Sequence, residues 1–246
     1  MCEKPVAHTV AVGKELLDEY NRDHKPKGVL WAVLENYRFE PGLLRAGELA
    51  ATAIGKLAIA EIRFHTPIPA GSRFASHDRT SLMIEAGCHF TAGLRVLLPN
   101  AGRVVSSAGF SYGCGSHLPS PDTLTAVYNF EGGVGATMAV ALGTSIRKCE
   151  ALLSGTAGCV EVRRCVQDGK HGYSVTTTGK DDEFHPFAGV GGAIQCFGQA
   201  VSMTLAGGKP LFDSRLTAEE ALLDIQLIED VVSTPLPMPD APALPM

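Results

Sequence analysis

The chain lacks any run of basic residues. Net charge is −5, and the adjacent cationic pairs Arg147-Lys148 and Arg163-Arg164 stand well apart in sequence. Nucleic-acid binding rests on clustered Lys and Arg that neutralise phosphates, so that class of partner is set aside. No apolar stretch approaches the roughly 20 residues that span a bilayer. The opening residues, Met1-Cys2-Glu3-Lys4-Pro5, are charged at once and carry no apolar leader core, which makes the cytoplasm the expected location. Seven cysteines are present without a CxxC pair or metal-ligand spacing, so they read as small buried hydrophobes and no metal is expected. There is no internal repeat.

What is present suits one sizeable core: 45% of the residues are hydrophobic and 19% charged. Residues 6–21 carry apolar positions at helical spacing, with Pro5 where a missing N–H costs nothing. The apolar run 28–34 predicts a strand buried on both faces. Helices are expected over 41–53 and 82–98, and a strand over 57–64. A series of strands follows at 104–110, 123–130, 134–142, 151–154, 159–166 and 173–178, with a hairpin signal at Glu131-Gly132-Gly133. Two helices close the fold, at 194–205 and 217–232. The second has Thr217 as N-cap and Glu220 completing a capping box. The Pro-rich end, 235–246, reads as an extended tail.

This order predicts an α+β fold: a mostly antiparallel sheet with helices on one face, preceded by a short α/β piece. The expected divisions are 1–37, 38–234 and the tail. The apolar, Gly-rich strands suggest that the second sheet face is also covered, most simply by a second copy in a homodimer.

Several segments, in order, carry a resemblance. Glu3-Lys4-Pro5 precedes an amphipathic helix, and Glu35-Asn36-Tyr37-Arg38-Phe39-Glu40-Pro41 follows it. Glu85-Ala86-Gly87-Cys88-His89-Phe90 lies on the 82–98 helix and continues as Ala92-Gly93-Leu94-Arg95. His117-Leu118-Pro119-Ser120-Pro121-Asp122-Thr123 and the segment from Gly208-Lys209-Pro210 to Glu229 complete the set. Together they resemble the E-K-P, N-x-R-F-x-P and D-x-G-x-H elements of the Gfo/Idh/MocA oxidoreductases, in a fungal form. That resemblance implies a substrate-side domain, and it puts the family's catalytic lysine, acid and histidine on Lys4, Glu85 and His89. Glu85 stands where the family has aspartate. The family's nucleotide-binding domain precedes its E-K-P element, so the chain is expected to be truncated, with 1–37 a remnant of that domain.

No substitute cradle for a dinucleotide is legible. Residues 113–118 lack the last glycine, 189–194 put Ile194 at the sixth position, and 133–136 open a strand. No cofactor is therefore expected. Glu85 and His89, four apart, share a helix face, where a carboxylate can hold an imidazole in one tautomer. Lys4 would stabilise a developing enolate or alkoxide. Arg63, His65, His77 and Tyr37 are the candidate substrate contacts. These readings lead to a cofactor-independent enzyme acting on a small molecule: an isomerase, dehydratase or cyclase of fungal secondary metabolism, with a Diels–Alder-type ring closure among its chemistries. The alternatives are a non-catalytic binding or scaffold protein, and a fragment or subunit of an NAD(P)-dependent oxidoreductase.

Overall fold

The computed structural model describes residues 1–76, 81–114, 117–119, 121–208 and 212–232. A small parallel pair, β1 (Cys2–Glu3) and β2 (Val33–Leu34), brackets helix α1 (Val10–Glu19). Thr9 caps α1 by accepting from the Val12 N–H at 3.3 Å. The expected strand over 28–34 is far shorter than its apolar pattern. β1 offers only two residues to pair with, and Val29 is left exposed.

The body follows the expected plan. Helix α2 (Pro41–Thr52) leads into β3 (Leu57–His65), then α3 (Ser81–Leu97). The strands β4 (Val104–Tyr112), β5 (Thr123–Phe130), β6 (Gly135–Ala141), β7 (Lys148–Gly155), β8 (Gly158–Gln167), β9 (Lys170–Thr177) and β10 (Glu183–Pro186) come next. Helices α4 (Gly189–Leu205) and α5 (Ala218–Val232) end the described chain. The Thr217 hydroxyl accepts from the Glu220 N–H at 3.3 Å, as the capping signal requires. β10, like the two-residue β1, is a strand that sequence patterning missed. Glu183-Phe184-His185-Pro186 has no apolar alternation and is held by its backbone ladder to β9.

The strands form one sheet in the order β10-β9-β8-β7-β3-β6-β5-β4. All pairings are antiparallel except β3 with β6. Alternation along β3 sends Ala60, Ile62 and Phe64 into the core beneath the helices and Ile59, Glu61 and Arg63 to the opposite face. α3 and α5 pack together over this inner face. Val6, Ala7 and Val10 join the same buried cluster as Leu222 and Ile225 of α5.

An ionic knot ties the layer to the segment ahead of α2. Asp224 on α5 is fully buried and is held by Arg38 and, at 2.8 Å, by Arg95 of α3. Arg95 also pairs with Glu220, Arg38 donates to the Arg215 carbonyl at 2.9 Å, and the Thr91 hydroxyl donates to the Asp224 carbonyl at 3.0 Å. Burial pushes the Asp224 carboxyl up to about 6, against the pull of the two guanidiniums. Removing the carboxylate strands two cations in the interior. Asp224→Ala is expected to cost about 3–5 kcal/mol at pH 7.5, read from urea denaturation. A loss below about 1 kcal/mol would mean that the knot is not structural.

Candidate active site

The carboxylate at the centre of the site belongs to Glu35. It stands where β2 ends, and its side chain accepts from the Tyr37 N–H at 3.0 Å, which starts the 3₁₀ turn Asn36–Phe39. Pro41 then opens α2. The turn turns Tyr37 toward α3, where Gly93 has no side chain to obstruct it. A Cβ on Gly93 would lie 3.1 Å from the Tyr37 ring. The ring stacks on His89, one helical turn before Gly93, with centroids 5.1 Å apart and planes at 22°. Phe64 and Phe90 pack edge-on behind it.

His89 Nδ1 lies 2.7 Å from Glu35 Oε1. Glu35 is 1% exposed. Burial alone would raise its carboxyl, yet His89, the Tyr37 N–H and Arg38 together hold it below the ordinary carboxylate range. An ionised carboxylate only accepts, so Nδ1 carries the proton and Nε2 of the neutral ring has a lone pair. Nε2 has no hydrogen-bond partner among the described residues, and the side chain is 25% exposed. The second Glu35 oxygen, Oε2, is buried without a partner among the described residues, a cost of about 1–3 kcal/mol that a purely structural carboxylate would avoid.

Lys4 approaches from the β1 side and donates from Nζ to the Glu85 backbone carbonyl at 2.6 Å. The Cys88 thiol shares that acceptor at 3.4 Å, and its sulfur lies within 4.8 Å of the Glu35 and His89 donor atoms. Three such groups are a conceivable metal set. Burial, however, pushes the Cys88 thiol well above its ordinary value, so it stays protonated and is a poor ligand. The chemistry on offer is a histidine base with an ammonium close by.

Of the expected residues, Lys4, His89 and Tyr37 gather in this place. Glu85 contributes its backbone carbonyl. Its carboxylate is held by Arg73 at 2.7 Å, and the carboxylate on His89 is Glu35. Arg63 points to the opposite sheet face and pairs with Glu150 at 3.0 Å. His65 follows it on the same side of β3, with a buried Nδ1 that has no partner among the described residues. His77 lies outside the described residues. Sequence reading passed over Glu35 because it had no helical spacing to His89. Its signal was a carboxylate directly after the apolar residues Val33 and Leu34, where an unpaired charge is costly.

With this geometry in hand, comparison with known proteins decides the fold. No family model matches the chain. An oxidoreductase from Thermotoga maritima superposes with a TM-score of 0.73 at 18% identity, over 93% of this chain and 66% of that one. The WlbA dehydrogenase from Bordetella pertussis, solved with NADH and UDP-GlcNAcA, gives 0.68 at 15% identity over 93% and 67%. The chain has the fold of the Gfo/Idh/MocA-type oxidoreductases. In sequence, Dehydrogenase FPY6 from Fusarium mangiferae is 25% identical over 95% of this chain and 68% of that protein. The chain thus spans about two thirds of the length of the relatives it matches.

Such a fold implies a nicotinamide dinucleotide, and the glycine-rich helix start among the described residues does not fit its pyrophosphate. Gly189 to Gly192 begin α4, the one glycine-rich helix start among the described residues. That start is already taken up by a carboxylate. Glu40 Oε2 accepts from the Ala188 N–H at 3.3 Å, and a Cβ on Gly189 would lie 2.6 Å from Glu40 Oε1. A pyrophosphate there would meet this internal anion. Gly133 sits in the β5–β6 turn, and no helix follows it.

Proposed function

We propose that the chain is an enzyme that moves a proton on a small carbonyl or hydroxyl compound, with His89 as the base, Glu35 as its positioning partner and Lys4 as the cation. The observation that carries this reading is the 2.7 Å contact between His89 Nδ1 and the buried Glu35 carboxylate. It assigns the proton of the neutral ring to Nδ1 and the lone pair to Nε2, on a side chain that is a quarter exposed. In the proposed step, Nε2 takes a proton from a carbon next to a carbonyl. The electron pair moves onto the carbonyl oxygen, and a Lys4 N–H not used on Glu85 stabilises the enolate. Return of the proton to the neighbouring carbon or oxygen completes an isomerisation; if a β-hydroxyl instead takes that proton from Nε2 and leaves as water while the enolate electrons form the C=C bond, the outcome is a dehydration. Neither needs an electron acceptor, in keeping with the absence of a dinucleotide cradle among the described residues. The substrate class in this reading is a fungal secondary metabolite; what the comparison supplies is the fungal source of the relative. A cyclisation of the Diels–Alder type is a further chemistry of this reading, with Lys4 polarising the carbonyl that activates the substrate.

The dehydrogenase relatives favour a second reading. In it the same base serves an oxidoreductase whose nucleotide-binding part lies outside the described residues.

The two readings separate in one experiment. The chain, incubated in D2O with a panel of α-hydroxy ketones and no nicotinamide, is expected to exchange the α-proton. His89→Ala should slow this by about 10²–10⁴. No exchange without nicotinamide, together with micromolar NADPH binding by isothermal titration, overturns the proposal and supports the second reading.

We also infer a homodimer through the outer sheet face. Val105, Phe110, Tyr112 and Val127 are half or more exposed at its β4 edge. Light scattering should give twice 25.9 kDa, and Phe110→Asp should give the single value. A monomeric wild type counts against this surface.

A further inference from the structure

The basic pairs that stand apart in sequence meet in space. β7 and β8 are neighbours, with Glu150 opposite Arg163, so Arg147 and Lys148 at the start of β7 face the end of β8 with Arg163 and Arg164. His171 of β9 joins them. These residues line a surface cavity of about 550 Å³ in which Glu150 is the single carboxylate. Glu150 is already engaged by Lys148 and by Arg63, each at 3.0 Å.

The remaining cations are not neutralised. Arg147 and Arg163 have no hydrogen bond or ion pair among the described residues. The guanidinium of Arg164 lies over the Phe187 ring at 4.8 Å, which leaves its N–H donors without a carboxylate. The nearby Asp182 accepts from Ser174 and Thr176 and is sensed by Arg163 only at a distance. In a chain of net charge −5, the unpaired guanidiniums of Arg147 and Arg164 give this rim a positive field, while alternation along β8 turns Arg163 to the opposite face beside Glu150. Planar guanidiniums match the oxygens of phosphates and carboxylates two at a time.

We propose that this cavity binds a small, multiply charged anion bearing phosphate or carboxylate groups, at a site separate from His89. A wall of rings divides the two. Phe187 packs against Tyr173 with centroids 5.2 Å apart. The Tyr173 hydroxyl meets that of Tyr37, and Tyr37 stacks on His89. An anion in the cavity is therefore the charged end of a longer substrate or a free effector, not the reacting group. Confinement to one cavity, with no basic stripe leading away among the described residues, favours a small molecule over a nucleic acid.

The test is isothermal titration of the full chain with inorganic pyrophosphate and with citrate at low salt. Wild type should bind at least one of them saturably. Arg147→Gln with Arg164→Gln should weaken binding about tenfold or more, whereas Arg22→Gln with Lys27→Gln, on the exposed helical turns that follow α1, should leave it unchanged. Arg147→Gln alone, at an exposed position without partners, should weaken it in the same direction and guards against a folding defect. No saturable binding by wild type up to millimolar concentration overturns the site, and so does equal weakening in the loop variant. Tighter binding of a single-stranded oligonucleotide that the rim variant abolishes also overturns it, in favour of nucleic acid. The outcome does not depend on turnover, so it stands or falls apart from the proton-transfer reading.

Discussion

A carboxylate buried to 1% exposure and kept ionised is the constraint around which the site is organised. Desolvation works against charge on Glu35, so the surroundings must supply donors. They do so with the His89 Nδ1–H, the Tyr37 N–H and the field of Arg38. Each donor in turn is fixed by something else. Tyr37 is clamped between His89 and Phe64, and Arg38 is locked to Asp224 and to the Arg215 carbonyl. The 35–41 segment is consequently held from α3, α5 and the sheet at once. A histidine oriented this way does not need to reorganise when it accepts a proton, which is what an acid–base group requires.

The same arrangement explains how a dehydrogenase-like fold can be read as a proton-transfer enzyme. Base, positioning carboxylate and ammonium lie on one side of the molecule, within the described residues. The dinucleotide's requirements are a glycine turn, free helix N–H groups and no competing anion. At α4 the Glu40 carboxylate fills that role internally. In the reading proposed above, the described residues supply a histidine, its carboxylate partner and a nearby ammonium, and α4 does not offer a phosphate cradle.

Most of the fold was legible because its strands alternate cleanly and its helices are well signalled. α2 and α3 match their expected spans closely, and the Thr217 cap was placed by chemistry alone. β2 was overread, since an apolar run cannot reveal that its partner β1 is two residues long. β10 was invisible because its stability comes from backbone pairing at an edge and not from apolar side chains. In the site, Lys4, Tyr37 and His89 came from ordered motifs, but spacing suggested Glu85 as the partner of His89. Position four apart guarantees a shared helix face and nothing about which carboxylate comes nearest. Glu35 is more than fifty positions away in sequence and reaches His89 only through the 3₁₀ turn. The same limit hid the basic cavity, where pairs isolated along the chain converge only once β7 lies beside β8.

The claim that Glu35 sets the protonation geometry of His89 is tested most directly by a long-range ¹H–¹⁵N spectrum of the chain with labelled histidine. Neutral His89 should appear as the Nδ1–H tautomer, with Nε2 shifted as an unprotonated nitrogen, and Glu35→Gln should abolish that bias. An Nε2–H tautomer in the wild type, or a spectrum that Glu35→Gln leaves unchanged, would contradict the account.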